Sequence, residues 1–189
     1  MSIIEPDWSR EQPRRWWDPS RQLLRSIRNY QKWKAYGGLV GAVLRRVYVL
    51  HYRFWTVVAG TDIQLDSQIA GGLILLHPNG VVIHPTASIG PNCCILQQVT
   101  ITTRVKIGAH VFIGAGAKVM REVTVGDNAK IGANAVVLCD VPAGATAVGV
   151  PARIITSSPS ETVPTPEMEN LSLEEMANND ATVNPKNPA

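Results

Sequence analysis

The chain has 189 residues, 45% of them hydrophobic, and a formal net charge of +3. That allows one principal domain with a real core, plus appendages. Its three cysteines, Cys93, Cys94 and Cys139, have no metal-ligand spacing. Their odd number points to a reducing compartment and small buried residues rather than a structural disulfide. The longest apolar stretch, residues 37–58, is broken by Arg45, Arg46, His51 and Arg53 and makes a poor bilayer-spanning helix. No signal peptide is expected, because the start is polar and acidic before any apolar run.

The charge is unevenly spread. Residues 1–58 hold 11 Lys/Arg against 4 Asp/Glu, residues 59–156 hold 6 against 5, and residues 157–189 hold 1 against 6. All 5 tryptophans lie in the first segment. In that basic head, Asp18-Pro19 forms a helix start, a capping side chain followed by proline at the first helical position. Leu23, Leu24, Ile27, Tyr30 and Trp33 follow at roughly helical spacing. Gly37-Gly38 interrupts them, and a second helix is expected from about Leu39 to Trp55. The head therefore reads as a helical cap whose basic, aromatic surface also suits peripheral contact with an anionic membrane. No nucleic-acid recognition motif accompanies the charge.

From residue 59 the chain repeats every six positions. Ile83, Ile89, Ile95, Ile101, Ile107 and Ile113 are followed in register by Val119, Val125, Ile131 and Val137. Two places before each large residue stands a smaller one, from Val81 and Ala87 to Ala129 and Ala135. This predicts a parallel β-helix of hexapeptides, three to a triangular coil of eighteen residues. Large residues stack inward, small ones fill the corners, and glycines such as Gly90, Gly108 and Gly126 relieve crowding at the turns. An earlier run, Ile63, Ile69 and Leu75, is out of phase with Ile83 by two residues. The extra residues fall in LLHPNGVVIH, where Pro78, Asn79 and Gly80 supply a turn. His77 is thereby expected to leave the solenoid face and point towards a groove. His84 and His110 read as surface-turn residues and His51 as part of the cap. The segment 157–189, rich in Pro, Ser, Asn, Glu and Thr, reads as a disordered acidic tail.

The segments GLILLHPNGVVIHPTASIGPNCCILQQVTI, VKIGAHVFIGAGAKV and VTVGDNAKIGANAVVLCDVPAGATAVGVPARII resemble the serine acetyltransferase family of hexapeptide-repeat acyltransferases. The resemblance implies a left-handed parallel β-helix that transfers acetyl from acetyl-CoA to a hydroxyl without a metal. It also implies homotrimers, some of which pair into hexamers, with active sites between subunits. It makes His77 the general base and Asp62 the carboxylate that orients it. It places the pantetheine arm of CoA against the backbone of Ala115 and Ala133, and Lys130 and Arg153 near the nucleotide end. Such chemistry is sensible, because a neutral imidazole can take the proton of an alcohol as it attacks a thioester.

Four features depart from that family. The helical head is short. The loop expected after the VTI strand is absent, since VTITTRVKI holds register through Ile101 and Ile107. Arg104 stands where a second active-site histidine is expected, and Leu76 where an acid precedes the base. The chain closes on NPKNPA rather than an isoleucine tail. These changes fall on groups that would hold a small zwitterion and leave Arg104 to hold a carboxylate or phosphate. The layout resembles short exopolysaccharide and capsule members of the family. The leading expectation is thus O-acetylation of a sugar, with L-serine as the alternative acceptor, in the cytoplasm or at the inner membrane face. The three-histidine metal site of γ-class carbonic anhydrases is not matched by His77, His84 and His110.

Overall fold

The computed structural model describes residues 4–155. The expected acidic tail, 157–189, lies outside the described residues.

Helix α1 runs Pro19–Tyr36, with the Asp18 carboxylate accepting from the Arg21 N–H and proline in the first turn, as the sequence predicts. Helix α2 runs Gly38–Ala59. It continues a turn beyond the expected end because nothing in residues 56–59 stops it. Gly60 does, at φ 63, its N–H closing on the carbonyls of Thr56 and Val57.

Residues 61–155 form the solenoid. Three parallel sheets of five, four and six strands make its faces. The first face stacks strands from Asp62–Ile63 to Val136–Val137, the second from Gln68–Ile69 to Thr124–Val125, and the third from Ile74–Leu75 to Lys130–Ile131. The third face then takes Thr146–Val148 and closes on an antiparallel hairpin with Arg153–Ile155. From Val82 to Val137 the strand partners are eighteen residues apart, as in Val82 with Thr100 and Lys118 with Val136, and the last parallel pairing, Lys130 with Thr146, spans sixteen.

Every large residue of the six-residue series is buried, and so is every smaller one two places earlier. The flat sides admit Ile and Val, while the corners admit only Ala, Cys or Val. The turn glycines answer to space rather than to backbone angle. A Cβ on Gly90 would lie 2.4 Å from the Gly108 carbonyl oxygen, and one on Gly108 would lie 2.7 Å from the Asp127 backbone nitrogen. Consecutive coils approach too closely there for any side chain. Of the three cysteines only Cys93 and Cys94 are buried; Cys139 is exposed and departs from the expectation of small core residues. Burial pushes the Cys93 and Cys94 thiols up to about 11, so both stay protonated.

The helices cover the open first coil. Leu23, Leu24 and Ile27 of α1 are buried on its end with Leu73 and Leu75. Full burial of each such side chain contributes roughly 2 kcal/mol. The Tyr52 hydroxyl donates to the Ile63 carbonyl at 2.8 Å, and the Gln31 amide donates to the carbonyls of Leu65 and Ser67. Arg28 is the main tie. Its guanidinium grips the buried Glu11 carboxylate through Nε at 3.0 Å and Nη2 at 2.8 Å, and donates to the carbonyls of Ile69 and Ala70. Glu11 also accepts from the Leu73 N–H. Ahead of α1 the chain forms a strap that no spacing in the sequence announces. The Asp7 N–H donates to the Asn92 side chain at 2.7 Å, and Asn92 donates to the Glu5 carbonyl.

Between the helices a hydrogen-bond chain fixes His51 in its neutral form. Trp55 Nε1–H donates to His51 Nε2 at 2.9 Å, so Nδ1 carries the proton towards Ser26 Oγ at 2.6 Å. Ser26 in turn donates to the Gln22 carbonyl. Burial, assisted by Arg25, lowers the His51 pKa below its ordinary 6.5.

Arg28→Met should strand the buried Glu11 carboxylate and lower the unfolding free energy by about 3 kcal/mol in urea titration. Arg28→Met combined with Glu11→Gln should recover part of that loss. His51 generates a pH effect of fixed sign. The unfolded chain takes up the proton before the folded one, so the contribution of this network is complete above pH 6.5 and declines as pH falls below it. Thermal melts between pH 7.5 and 5 should show that slope in the wild type and a shallower one in His51→Phe.

Candidate functional site

The site begins with a slip in register. Asp62 pairs with Val82, Gln68 with Ser88 and Ile74 with Cys94, each twenty residues apart rather than eighteen. The two extra residues lie between Leu75 and Val82, where the sequence puts them. In the regular coils every sixth corner residue is left-handed, at Asn92, Gln98, Arg104, His110, Gly116, Glu122, Asn128 and Asn134. Each stands three places after or before an inward residue. Three places after Leu75 stands Pro78, whose ring forbids positive φ. His77 takes the left-handed angle instead, at φ 49, and Gly80 takes the next at φ 72. A left-handed histidine costs roughly 1 kcal/mol or more, a strain of the kind found at functional positions. It turns His77 out to an exposed corner between the third and first faces.

Register then shows what shares that corner. Leu75, Ile95, Ile113 and Ile131 are mutual ladder partners on the third face. Two residues past each stand His77, Gln97, Ala115 and Ala133. Past the two-residue insertion the ladder resumes at Asn79, whose carbonyl accepts from the Gln98 N–H, so Asn79, Gln97, Ala115 and Ala133 form the column and His77 stands two residues before it at the same corner. At about 4.8 Å per coil, Asn79 and Ala133 are separated along the axis by about 14 Å. Ladder bonds from the Gly116 N–H to the Gln97 carbonyl and from the Asn134 N–H to the Ala115 carbonyl hold the column straight. Among the described residues the N–H groups of Ala115 and Ala133 have no partner and are available to a ligand.

Gln97 escaped the sequence reading. Its Oε1 is buried and meets no donor among the described residues. It lies in this column, one coil from Asn79. The only sequence signal was its place in ILQQVTI, two residues after an inward isoleucine.

The other expected site residues fall elsewhere. Asp62 is exposed on the outer side of the first face and lines a groove of about 340 Å³ with Gln64, His84, Thr100, Thr102 and Thr103. No hydrogen bond joins Asp62 to His77, and His77 does not line that groove. Lys130 is exposed on the third face beside Phe112, and Arg153 is exposed on the closing hairpin, opposite Val148. Arg104 is left-handed and exposed, and its guanidinium pairs with Glu122 at 2.8 Å, one coil on. His84 bonds with Thr86 at 2.9 Å in a turn, and His110 is an exposed corner residue. Among the described residues no three His, Cys, Asp or Glu side chains gather into a metal-binding group.

Comparison with known proteins agrees with this architecture. Residues 104–139 match the family model described as bacterial transferase hexapeptide, six repeats. The chain carries hexapeptide repeats of this kind and is similar to serine acetyltransferases over part of its length. Probable serine acetyltransferase 1 of Oryza sativa subsp. japonica is 42% identical over 124 residues, 61% of this chain and 41% of that protein. Serine acetyltransferase of Helicobacter pylori strain J99 is 44% identical over 107 residues, 52% of this chain and 63% of that protein. Among solved structures, a serine acetyltransferase in complex with CoA superposes with TM-score 0.62 at 33% identity, covering 74% of this chain and 58% of that one. The Neisseria gonorrhoeae serine acetyltransferase in complex with serine gives TM-score 0.60 at 31% identity, again over 74% and 58%. This hexapeptide-repeat chain spans less than two thirds of the length of each of these relatives.

Gln97→Leu should leave the melting temperature unchanged or raise it, because a buried acceptor without a donor is removed for a side chain of similar size. Calorimetry of the free protein reads this; a fall of several degrees would mean that Gln97 holds the corner together.

Proposed function

We propose that this chain is an acetyl-CoA-dependent O-acetyltransferase with His77 as its general base. The observation that carries the proposal is the corner column. An exposed base at the inserted turn adjoins a straight edge that carries a buried amide oxygen without a donor and two free backbone N–H groups, an edge that an extended thioester arm can follow.

Neutral His77 takes the acceptor's hydroxyl proton as the oxygen attacks the thioester carbonyl. The carbonyl π electrons move onto its oxygen, and backbone N–H groups of the groove stabilise that oxyanion. The intermediate then collapses, the C–S bond breaks, and the imidazolium returns its proton to the departing CoA thiolate. Ala115 and Ala133 would hold the pantetheine amides, and Lys130 and Arg153 the phosphate end. Asp62 is proposed to orient His77, which requires movement of one side chain towards the other on binding. By resemblance the working unit is a homotrimer in which a neighbouring subunit closes the groove.

L-serine is the acceptor that the relatives support, and it displaces a sugar hydroxyl as the leading reading. The sugar reading keeps one observation of its own. The coil is unbroken between Ile101 and Ile107, so the first-face groove stays open.

With acetyl-CoA and acceptor, His77→Ala should reduce thiol release by about a hundredfold or more, within the usual range for a lost general base. The protein should still assemble and bind CoA. Asp62→Asn should lower kcat with little effect on assembly. Full activity of His77→Ala would remove the mechanism. Turnover with L-serine, measured beside sugar nucleotides and oligosaccharides, decides the acceptor.

A further inference from the structure

Helix α2 has two apolar faces, and only one is covered. Gly41, Trp55 and Ala59 are buried against the rest of the protein. On the opposite side Val40, Val43, Val47, Leu50, Phe54 and Val57 follow at alternating spacings of three and four, so they form one stripe along the helix. All six are exposed, Leu50 at 67% and Val57 at 82%. Arg46 and Arg53 each stand one residue before a stripe member, seven apart, and so line one edge of it. At the C-terminal end the stripe runs into an aromatic cluster. Ring centroids lie 5.1 Å apart for Phe54 and Trp55, 5.3 Å for Trp55 and Trp17, and 5.3 Å for Trp17 and Trp16. Trp16 is 81% exposed, and Arg14 and Arg15 precede it in the chain, both exposed.

We propose that this stripe, with residues 14–17, is a docking surface for an anionic lipid bilayer, on which α2 lies in the interfacial plane. Charge decides between this occupant and a second copy of the chain. Residues 19–60 contain eight Lys/Arg and no Asp or Glu. Two copies packed along the stripe would bring cationic edges together with no carboxylate on either helix to pair them. Anionic headgroups supply the missing charge, while arginine stems lie along the apolar surface and raise their heads to the phosphates. Tryptophans at the end of the stripe suit the boundary between headgroups and acyl chains. No described helix is long and apolar enough to cross a membrane, so the stripe rests on the surface.

The full-length protein is mixed with phosphatidylcholine vesicles, or with the same vesicles containing phosphatidylglycerol, and floated through a density gradient. It should rise with the anionic vesicles only, and less so in high salt. Leu50→Glu with Val57→Glu should cut the floated fraction about tenfold or more at unchanged circular dichroism. Each arginine removed in Arg46→Gln and Arg53→Gln should weaken partitioning about fivefold. Three results would overturn the proposal. The wild type stays with the unbound protein, the double glutamate variant floats as the wild type does, or that variant falls to a lower oligomeric mass in light scattering. The last would make the stripe a joint between copies.

Discussion

Parallel pairing at one residue in eighteen is the constraint on which this protein rests. Once Ile83 is stacked on Ile101 and Val82 on Thr100, the ladder repeats every surrounding residue at the same place one coil on. Inward positions become columns of Ile and Val, tight corners become columns of Ala, Cys and Val, and close approaches become columns of glycine. Because each coil is held only by its neighbours, the ends must be covered. Helix α1 and the Glu11–Arg28 pair cover one end and the antiparallel hairpin covers the other. A buried ion pair is an uneven way to do so. It contributes little over a well-packed apolar contact, but losing either partner is costly. It does fix one orientation of the cap on the carbonyls of Ile69 and Ala70, which an apolar contact would not.

The same ladder makes a departure from period informative. Two residues are inserted at the one corner where Pro78 prevents the usual left-handed turn. The displaced strain falls on His77, while the coils on either side stay in register. The histidine is thus moved relative to the solenoid without loosening it. The column beside it, from Asn79 through Gln97 to Ala115, is held by backbone bonds.

How far the sequence could be read follows from these terms. The inward series, the small corner series, the two-residue slip and the Asp18-Pro19 cap are periodic or local signals, and the structure contains each of them. What escaped was non-local or aperiodic. The strap at Asp7 and Asn92 joins positions 85 residues apart, and no spacing rule connects them. Gln97 looked like one polar corner residue among many until its burial without a donor set it apart. The end of α2 was misjudged because residues 56–59 carry no stop signal and Gly60 was outside the expected boundary. Asp62 was tied to His77 by family likeness alone. Coil arithmetic does not join them, and the structure sets Asp62 in a groove with His84 instead.

The division of labour within the solenoid bears on the acceptor. The column from Asn79 to Ala133 is backbone-determined, whereas His77 owes its place to the insertion. Recognition of a small acceptor depends on what projects over the first face, and there the unbroken coil has a consequence. Arg104 and Glu122 occupy equivalent corners one coil apart, which is why they meet as an ion pair. Both are largely exposed, and an exposed pair of this kind contributes about 0–1 kcal/mol. Glu122 therefore restrains Arg104 only weakly. An acceptor carrying a carboxylate or phosphate has only that small contribution to replace, whereas a neutral sugar hydroxyl leaves the pair intact. Regular stacking thus sets Arg104 at a corner as a cation that its partner holds only weakly.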